Sequence, residues 1–295
     1  MSRDKTVSYS EIFLSIEGEG PYTGHSTVYI RFAKCNFTCR GFNNPEMKEI
    51  TNEVLGFDPA DYDKLEDLPV IDIGCDSIYS WDRRFKHMWM KRTASELAQH
   101  VMEYVPHGQW RHPRTNQRTI LSLTGGEPTL NARFLPELLA QPEFDGLEHI
   151  LIETNCSVPL KDDFIQALSD WTLAKEGRKI IWSNSPKLSV SGEPWDKAIV
   201  PAIALKQRQV VNCEQYFKFV CDATDESFDE VQKAMDQYYL YGLPREDDQV
   251  HIMPVGAIEE QQLNIAGQVA TMCLDRGYVF CGRAHVHAFG NTIGT

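Results

Sequence analysis

No stretch of the 295-residue chain approaches the roughly 18 consecutive apolar residues of a membrane span, and the opening MSRDKTVSYSEIF lacks the long apolar core of a secretion signal. A soluble, cytoplasmic protein without membrane partners is expected. Basic side chains are also scarce: 29 Lys and Arg face 42 Asp and Glu, a formal charge of -13. That balance argues against a non-specific nucleic-acid groove, and no direct nucleic-acid binding is expected. The eight cysteines, at 35, 39, 75, 156, 213, 221, 273 and 281, lack the density of a small disulfide scaffold. In a reducing compartment their thiols stay available to metals. No internal repeat is visible, and 42% hydrophobic residues suffice for one sizeable core.

What is present is an alternation. Apolar runs at Thr27–Ala33, Ile120–Leu123, His149–Glu153, Lys179–Trp182, Lys197–Ala204, Tyr216–Val220 and Gln249–Pro254 read as strands. Helical patterns lie between several of them, at 91–105 after Thr93, 162–175, 226–240 and 258–275. The order predicts a parallel α/β layer in a single domain over 1–295, a full or partial barrel. Residues 41–74 break the pattern with a turn-rich, acidic segment, read as an insertion projecting from the site. A solvated loop with a short helix is the plain expectation for it, and a lid or protein-docking surface the functional one.

Cys35 and Cys39 sit in the loop after the first of these strands, close enough in sequence to meet a common inorganic centre. Such a pair also occurs in packing and in zinc sites. Cys75, followed by Asp76 and Ser77, would join them only across the insertion. Closing that gap costs about 2.5 kcal/mol more than closing a two-residue one by the logarithmic loop law, so length does not forbid it.

At this point the residues resemble a known family. Cys35-Asn36-Phe37-Thr38-Cys39 is similar to the start of the radical S-adenosylmethionine cluster loop, whose third cysteine would fall at Phe42. Phe42 cannot ligate iron. Cys75-Asp76-Ser77 with Tyr79, Trp81 and Asp82 resembles the segment that ends this motif in the 7-carboxy-7-deazaguanine synthases. EIFLSIEGEGPYTGHSTVYIR (Glu11 to Arg31), Thr124-Gly125-Gly126-Glu127-Pro128, Glu153-Thr154-Asn155 and Ser185-Pro186-Lys187 resemble segments of the same family in the same order.

The resemblance implies a modified TIM-like radical S-adenosylmethionine barrel and a carbon–nitrogen lyase. It would convert 6-carboxy-5,6,7,8-tetrahydropterin to 7-carboxy-7-deazaguanine with loss of ammonia, as in queuosine biosynthesis. The implied cofactors are a [4Fe-4S] cluster on Cys35, Cys39 and Cys75, S-adenosylmethionine, and Mg2+ at Ser77, where threonine is usual. S-adenosylmethionine is assigned to Gly125, Gly126, Glu127, Glu153, Thr154, Asn155, Ser185 and Lys187. The substrate is assigned to Ile16, Glu17, Gly18, Arg31, Thr124, Arg283, His285 and His287. Two further departures are Glu17, where the family usually has glutamine, and Cys156, where a glycine commonly follows Asn155.

From the residues themselves, Gly125 and Gly126 would let a ligand approach the backbone, and Glu127 would accept from an ammonium group. Arg31 suits a carboxylate through its two-pronged donor edge. Arg283, His285 and His287 would share one face of a strand. Cys156 reads as a packing thiol. A reductant such as flavodoxin, a homodimer and a protein partner at the acidic insertion complete the expectations. The alternatives are another radical reaction of this superfamily, such as glycyl-radical activation, a non-catalytic interaction protein, and a generic zinc-binding α/β protein.

Overall fold

The computed structural model describes residues 5–290 and 292–294. Strand β1 (Thr6–Ile16) pairs antiparallel with β2 (Ser26–Phe32) on one side and β3 (Met90–Thr93) on the other. From β2 onward every pairing is parallel, through β4 (Ile120–Gly125), β5 (His149–Thr154), β6 (Lys179–Asn184), β7 (Cys213–Cys221), β8 (Val250–Pro254) and β9 (Val279–Phe280). Among the described residues these nine strands form one open sheet in the order β3-β1-β2-β4-β5-β6-β7-β8-β9. The helices are α1 (Asn52–Leu55), α2 (Ala94–Met102), α3 (Leu135–Leu139), α4 (Asp162–Leu173), α5 (Trp195–Ala198), α6 (Pro201–Gln207), α7 (Asp225–Leu240), α8 (Glu259–Arg276) and α9 (Ala284–Phe289). The architecture is the expected α/β partial barrel.

The period of two along each parallel strand decides what faces where. Val28, Ile30 and Phe32 of β2, Leu121 and Leu123 of β4, Ile150 and Ile152 of β5, Ile180 and Trp182 of β6, and Phe217 and Phe219 of β7 enter the main core, together with Leu97, Val101, Phe164, Leu168, Phe228 and Val231 from the helices. Each fully buried side chain of this size stabilises the fold by about 1.5–3 kcal/mol. The alternate positions point the other way. Ile120, Leu151, Ile181 and Tyr216 make a separate apolar floor, while Arg31, Thr124, Glu153 and Lys218 line a cavity above it.

Two expected elements differ. Lys197–Ala204 is not a strand: Pro201 occupies the first turn of α6, where its missing N–H costs nothing, and the apolar residues on either side belong to two short helices. Arg283, His285 and His287 likewise do not alternate along a strand, because Ala284–Phe289 is helical and Arg283 is its N-cap. The helix expected after Thr93 starts there: Thr93 is the N-cap of α2 and closes a capping box with Glu96, and residues 90–93 form β3.

Residues 41–74 contain α1 and 3-10 turns at Pro59–Asp61 and Leu65–Asp67. Ile50, Leu65 and Ile71 pack with Ile78, Tyr79 and Phe85 into a second small core. Arg84 ties this segment down, donating to Asn52 Oδ1 at 2.7 Å and to the Ile50 carbonyl at 2.6 Å. Its neck is closed: Gly74 N–H donates to the Phe42 carbonyl at 2.7 Å, and Asn43 Nδ2 to the Asp72 carbonyl at 2.8 Å. The 41–74 excursion therefore leaves and re-enters the cysteine loop at one point.

Candidate active site

Because the neck closes, Cys75 is returned beside the loop that carries Cys35 and Cys39, and all three thiols line one cavity of about 250 Å3. They share an apolar surround with Phe37, Phe42 and Ala198. None is in a disulfide. Burial pushes the Cys35 thiol up to about 12 and raises Cys39 and Cys75 as well. Thiols so desolvated are poor free nucleophiles, and a cationic inorganic centre is what would hold them as thiolates. Among the described residues no three His, Cys, Asp or Glu side chains are arranged to hold a single metal ion. The donor set, three sulfurs around one cavity, fits a multi-iron cluster, whose cysteines attach at separate corners.

Thr124, Gly125, Gly126, Glu153, Thr154, Asn155, Ser185 and Lys187 line the same cavity, brought together at the carboxyl ends of β4, β5 and β6. The glycines answer first to the protein itself. A Cβ on Gly125 would lie 2.3 Å from the Phe32 carbonyl oxygen, and one on Gly126 2.0 Å from that of Lys34. Gly126 and Glu127 N–H groups donate to those two carbonyls at 3.0 and 2.8 Å, so this turn carries the cysteine loop on its backbone.

Glu127 is placed differently from expectation. It is fully buried outside the cavity lining, accepting from Thr129 N and Oγ1 at 3.0 and 2.5 Å, Thr154 Oγ1 at 2.8 Å and Asn155 N at 2.8 Å. Its carboxylate joins the ends of β4 and β5 and has little capacity left for an ammonium group. Cys156 is buried in the main core with φ +58, so a side chain stands where the left-handed backbone favours glycine.

Ile16, Glu17, Arg31, Arg283 and His285 also line the cavity. Gly18 does not; its missing side chain makes room for the His285 ring, whose Nδ1 lies 1.6 Å from where a Cβ would be. His287 turns away to a separate cavity beside Gly20, His251 and Cys281 and pairs with Glu259 at 3.3 Å, a consequence of its helical rather than strand spacing.

Arg31 is oriented by residues that the sequence did not single out for this. Its Nε donates to Glu11 Oε1 at 2.6 Å, the same oxygen that Tyr79 Oη reaches at 2.9 Å, and its Nη1 donates to Ser77 Oγ at 3.1 Å. Ser77 in turn donates to Asp76 Oδ1 at 3.1 Å, and Asp76 Oδ2 accepts from Arg283 at 3.0 Å. Despite burial, the Arg283 and Arg31 guanidiniums hold the Asp76 carboxyl below its ordinary range.

The largest feature missed is Lys218, 2% exposed in the middle of β7. Its Nζ lies 2.6 Å from Glu19 Oε2 and 3.5 Å from Glu153 Oε2. Glu19 also pairs with Arg283 at 3.0 Å, and the two cations hold it well below the usual carboxylate range. Glu17, also 2% exposed, forms no ion pair within 4 Å among the described residues, although Lys218 lies near enough to act on it. Burial, with Glu153 next in effect, pushes it up to about 8. The signal for Lys218 was there in Tyr-Phe-Lys-Phe-Val, a lysine inside an otherwise apolar strand.

No family model matches the chain. A 7-carboxy-7-deazaguanine synthase from Rhodopirellula baltica is 24% identical over 99% of this chain and 90% of the relative. The one from Pyrobaculum aerophilum is 24% identical over the full length of both. The one from Methanothermobacter thermautotrophicus is 29% identical over 55% of this chain and 45% of the relative. The crystal structure of QueE from Escherichia coli superposes with a TM-score of 0.55 at 14% identity, covering 95% of each chain, a likeness of fold.

Proposed function

We propose that this chain is a member of the 7-carboxy-7-deazaguanine synthase family of radical S-adenosylmethionine enzymes and converts 6-carboxy-5,6,7,8-tetrahydropterin to 7-carboxy-7-deazaguanine with release of ammonia. The observation that carries the reading is the closed neck at Phe42 and Gly74, which sets Cys75 on the cavity of Cys35 and Cys39.

Those three cysteines would hold a [4Fe-4S] cluster. With S-adenosylmethionine bound, the cluster supplies one-electron, hydrogen-abstracting chemistry. The protein's own work is to position and to seal. Thr154, Asn155, Ser185 and Lys187, with the glycine turn and Glu153, would grip S-adenosylmethionine through hydroxyl, amide and ammonium groups. Arg31, aimed by Glu11, would meet the substrate carboxylate, with Arg283 and His285 beside it. Ile16 and Glu17 would bound the pterin ring, with Thr124 across from them. Ser77 would offer its hydroxyl to Mg2+, with Asp76 adjacent. The apolar floor under the cavity keeps water from entering below.

No helix among the described residues is long and apolar enough to cross a membrane. A cytoplasmic setting, a flavodoxin-like reductant, a homodimer and a partner at the 41–74 segment belong to this proposal.

The test is anaerobic turnover of reconstituted protein with dithionite, S-adenosylmethionine, magnesium and the carboxypterin, following 5′-deoxyadenosine and the deazapurine together. Wild type should form both and Cys75→Ala neither. Coupled turnover by Cys75→Ala at the wild-type rate would overturn the ligand assignment.

A further inference from the structure

At the base of the cavity three carboxylates surround one ammonium. Lys218 stands within reach of Glu19 and Glu153, at 2.6 and 3.5 Å. Arg283, the neighbouring guanidinium, is divided between Glu19 and Asp76, at 3.0 Å each. Glu17, equally buried, is left with neutral partners: Glu19 N–H at 3.3 Å on Oε1, and Tyr29 Oη at 3.0 Å from Oε2.

That Tyr29 hydroxyl also lies 3.2 Å from the Ile16 carbonyl. It has a single hydrogen to give and two acceptors within reach. A proton on Glu17 Oε2 resolves the shortage: Glu17 donates to the Tyr29 oxygen, and Tyr29 donates to Ile16.

We propose that Glu17 is held as a neutral carboxylic acid whose proton closes the chain Glu17–Tyr29–Ile16, leaving Oε1 as an uncharged acceptor for an N–H on the amino edge of the pterin. A glutamine would do the same, its amide N–H toward Tyr29 and its carbonyl toward the ring. The carboxyl in this chain is thus an amide stand-in, with the difference that it can ionise. This rests on the pterin reading of the site.

The groups around Glu17 leave a clear pH window. Lys218 on β7 is raised well above its ordinary value, and Tyr29 on β2 and Tyr216 on β7 likewise. Cys281, after β9, is pushed up to about 11, and His285 on α9 down to about 4, both by burial. Glu19, on the same loop, is ionised throughout, held low by Lys218 and Arg283. Glu153 on β5, its oxygens shared between Ser122 and Lys218, supplies the other facing charge. Between pH 7 and 9 the group placed to change is Glu17, whose ionisation would add a third negative charge around Lys218, already paired with Glu19 and facing Glu153.

The test uses anaerobically purified, cluster-loaded protein and two readouts. Infrared difference spectra between about pH 7 and about pH 9 should show the loss of one buried protonated carboxyl band in wild type and no such loss in Glu17→Gln. This readout needs no turnover, so it stands even if the substrate assignment fails. Second, kcat/KM for carboxytetrahydropterin should fall about tenfold in wild type over the same interval, while in Glu17→Gln the ratio between the two pH values stays near one. Absence of the band at pH 7 overturns the proposal. So does a wild-type kcat/KM that rises with pH, since a charged carboxylate would then be the better grip. A present band with no pterin binding by calorimetry at either pH would retain the neutral acid and remove its assigned ligand.

Discussion

Arg31 owes its direction to Glu11, and a single atom separates an aimed guanidinium from a loose one. Glu11 Oε1 takes both Arg31 Nε and Tyr79 Oη, while the faces of Phe13 and Tyr79 lie 5.7 and 5.8 Å from the guanidinium carbon. Changing Glu11 to Gln keeps the shape and removes the charge of the strongest contact, and a hydrogen bond to a charged group contributes about 1.5–3 kcal/mol. The expected outcome is a rise of about tenfold in KM for the carboxypterin with iron content at the wild-type level. Equal KM values in the two proteins would remove Glu11 as the group that positions Arg31. Lys218 makes a second residue-scale case. Lys218→Met takes the ammonium from Glu19, which keeps only Arg283, and from the partly exposed Glu153, a loss of about 1.5–3 kcal/mol read from urea unfolding. Adding Glu153→Gln should return part of it, because one of the stranded charges is then gone.

At the scale of strands, helices and loops, what could be read from sequence was whatever repeats locally. Strands β2, β4, β5, β6, β7 and β8 were legible because both of their faces are covered, so they appear as apolar runs. Strand β1 was not read as one: Ser8, Ser10, Glu11 and Ser15 interrupt its apolar residues, and Ser10, Glu11 and Ser15 are buried for reasons set by distant partners. The 197–204 segment misled through Ile199, Val200 and Ile203, although Pro201 was the overriding signal. His285 and His287 were paired by an assumed period of two that the helix replaces. The cysteines, the glycine turn and Arg31 were legible through resemblance, whereas Lys218 shows locally only as a lysine in an apolar strand, and its pairing with Glu19 across 199 positions leaves no trace in sequence. The glycine turn also carries a prediction at this scale. Gly126 admits the Lys34 backbone where a Cβ would intrude, so Gly126→Ala must push away the segment that presents Cys35. Iron and sulfide per chain after reconstitution should fall by about half or more, with a lowered melting temperature. Full loading would mean that the cysteine loop does not depend on this close approach.

For the molecule as a whole, the open sheet leaves β1 and β9 without a common ladder, and the gap is crossed by a backbone hydrogen bond and by side chains. Ala284 N–H reaches the Gly18 carbonyl at 2.9 Å, and a file of ion pairs runs from Lys218 of β7 through Glu19 to Arg283 before α9, then to Asp76 beside Cys75. Glu19 is the only carboxylate in that file touching both cations, so it links sheet, C-terminal segment and cysteine loop. Buried pairs are little screened, and added salt should not mimic its loss. Its carboxyl is depressed in the native state, chiefly by Lys218 and then Arg283 acting against burial. An acid with a lowered native value binds fewer protons folded than unfolded, so its contribution is complete above its unfolded value of about 4.5 and fades as pH falls toward the native one. Glu19→Gln should therefore be less stable than wild type by about 1.5–3 kcal/mol near neutrality, because it takes the 2.6 Å carboxylate from buried Lys218 and leaves Arg283 with Asp76 alone. That deficit should narrow as the solution is taken from about pH 6 to about pH 3, because the unfolded wild type takes up a proton at this carboxyl that the folded protein does not. Urea midpoints for both proteins across that range check it, and a deficit that stays constant down to the lowest pH would show that Glu19 does not join the two sides of the barrel through its charge.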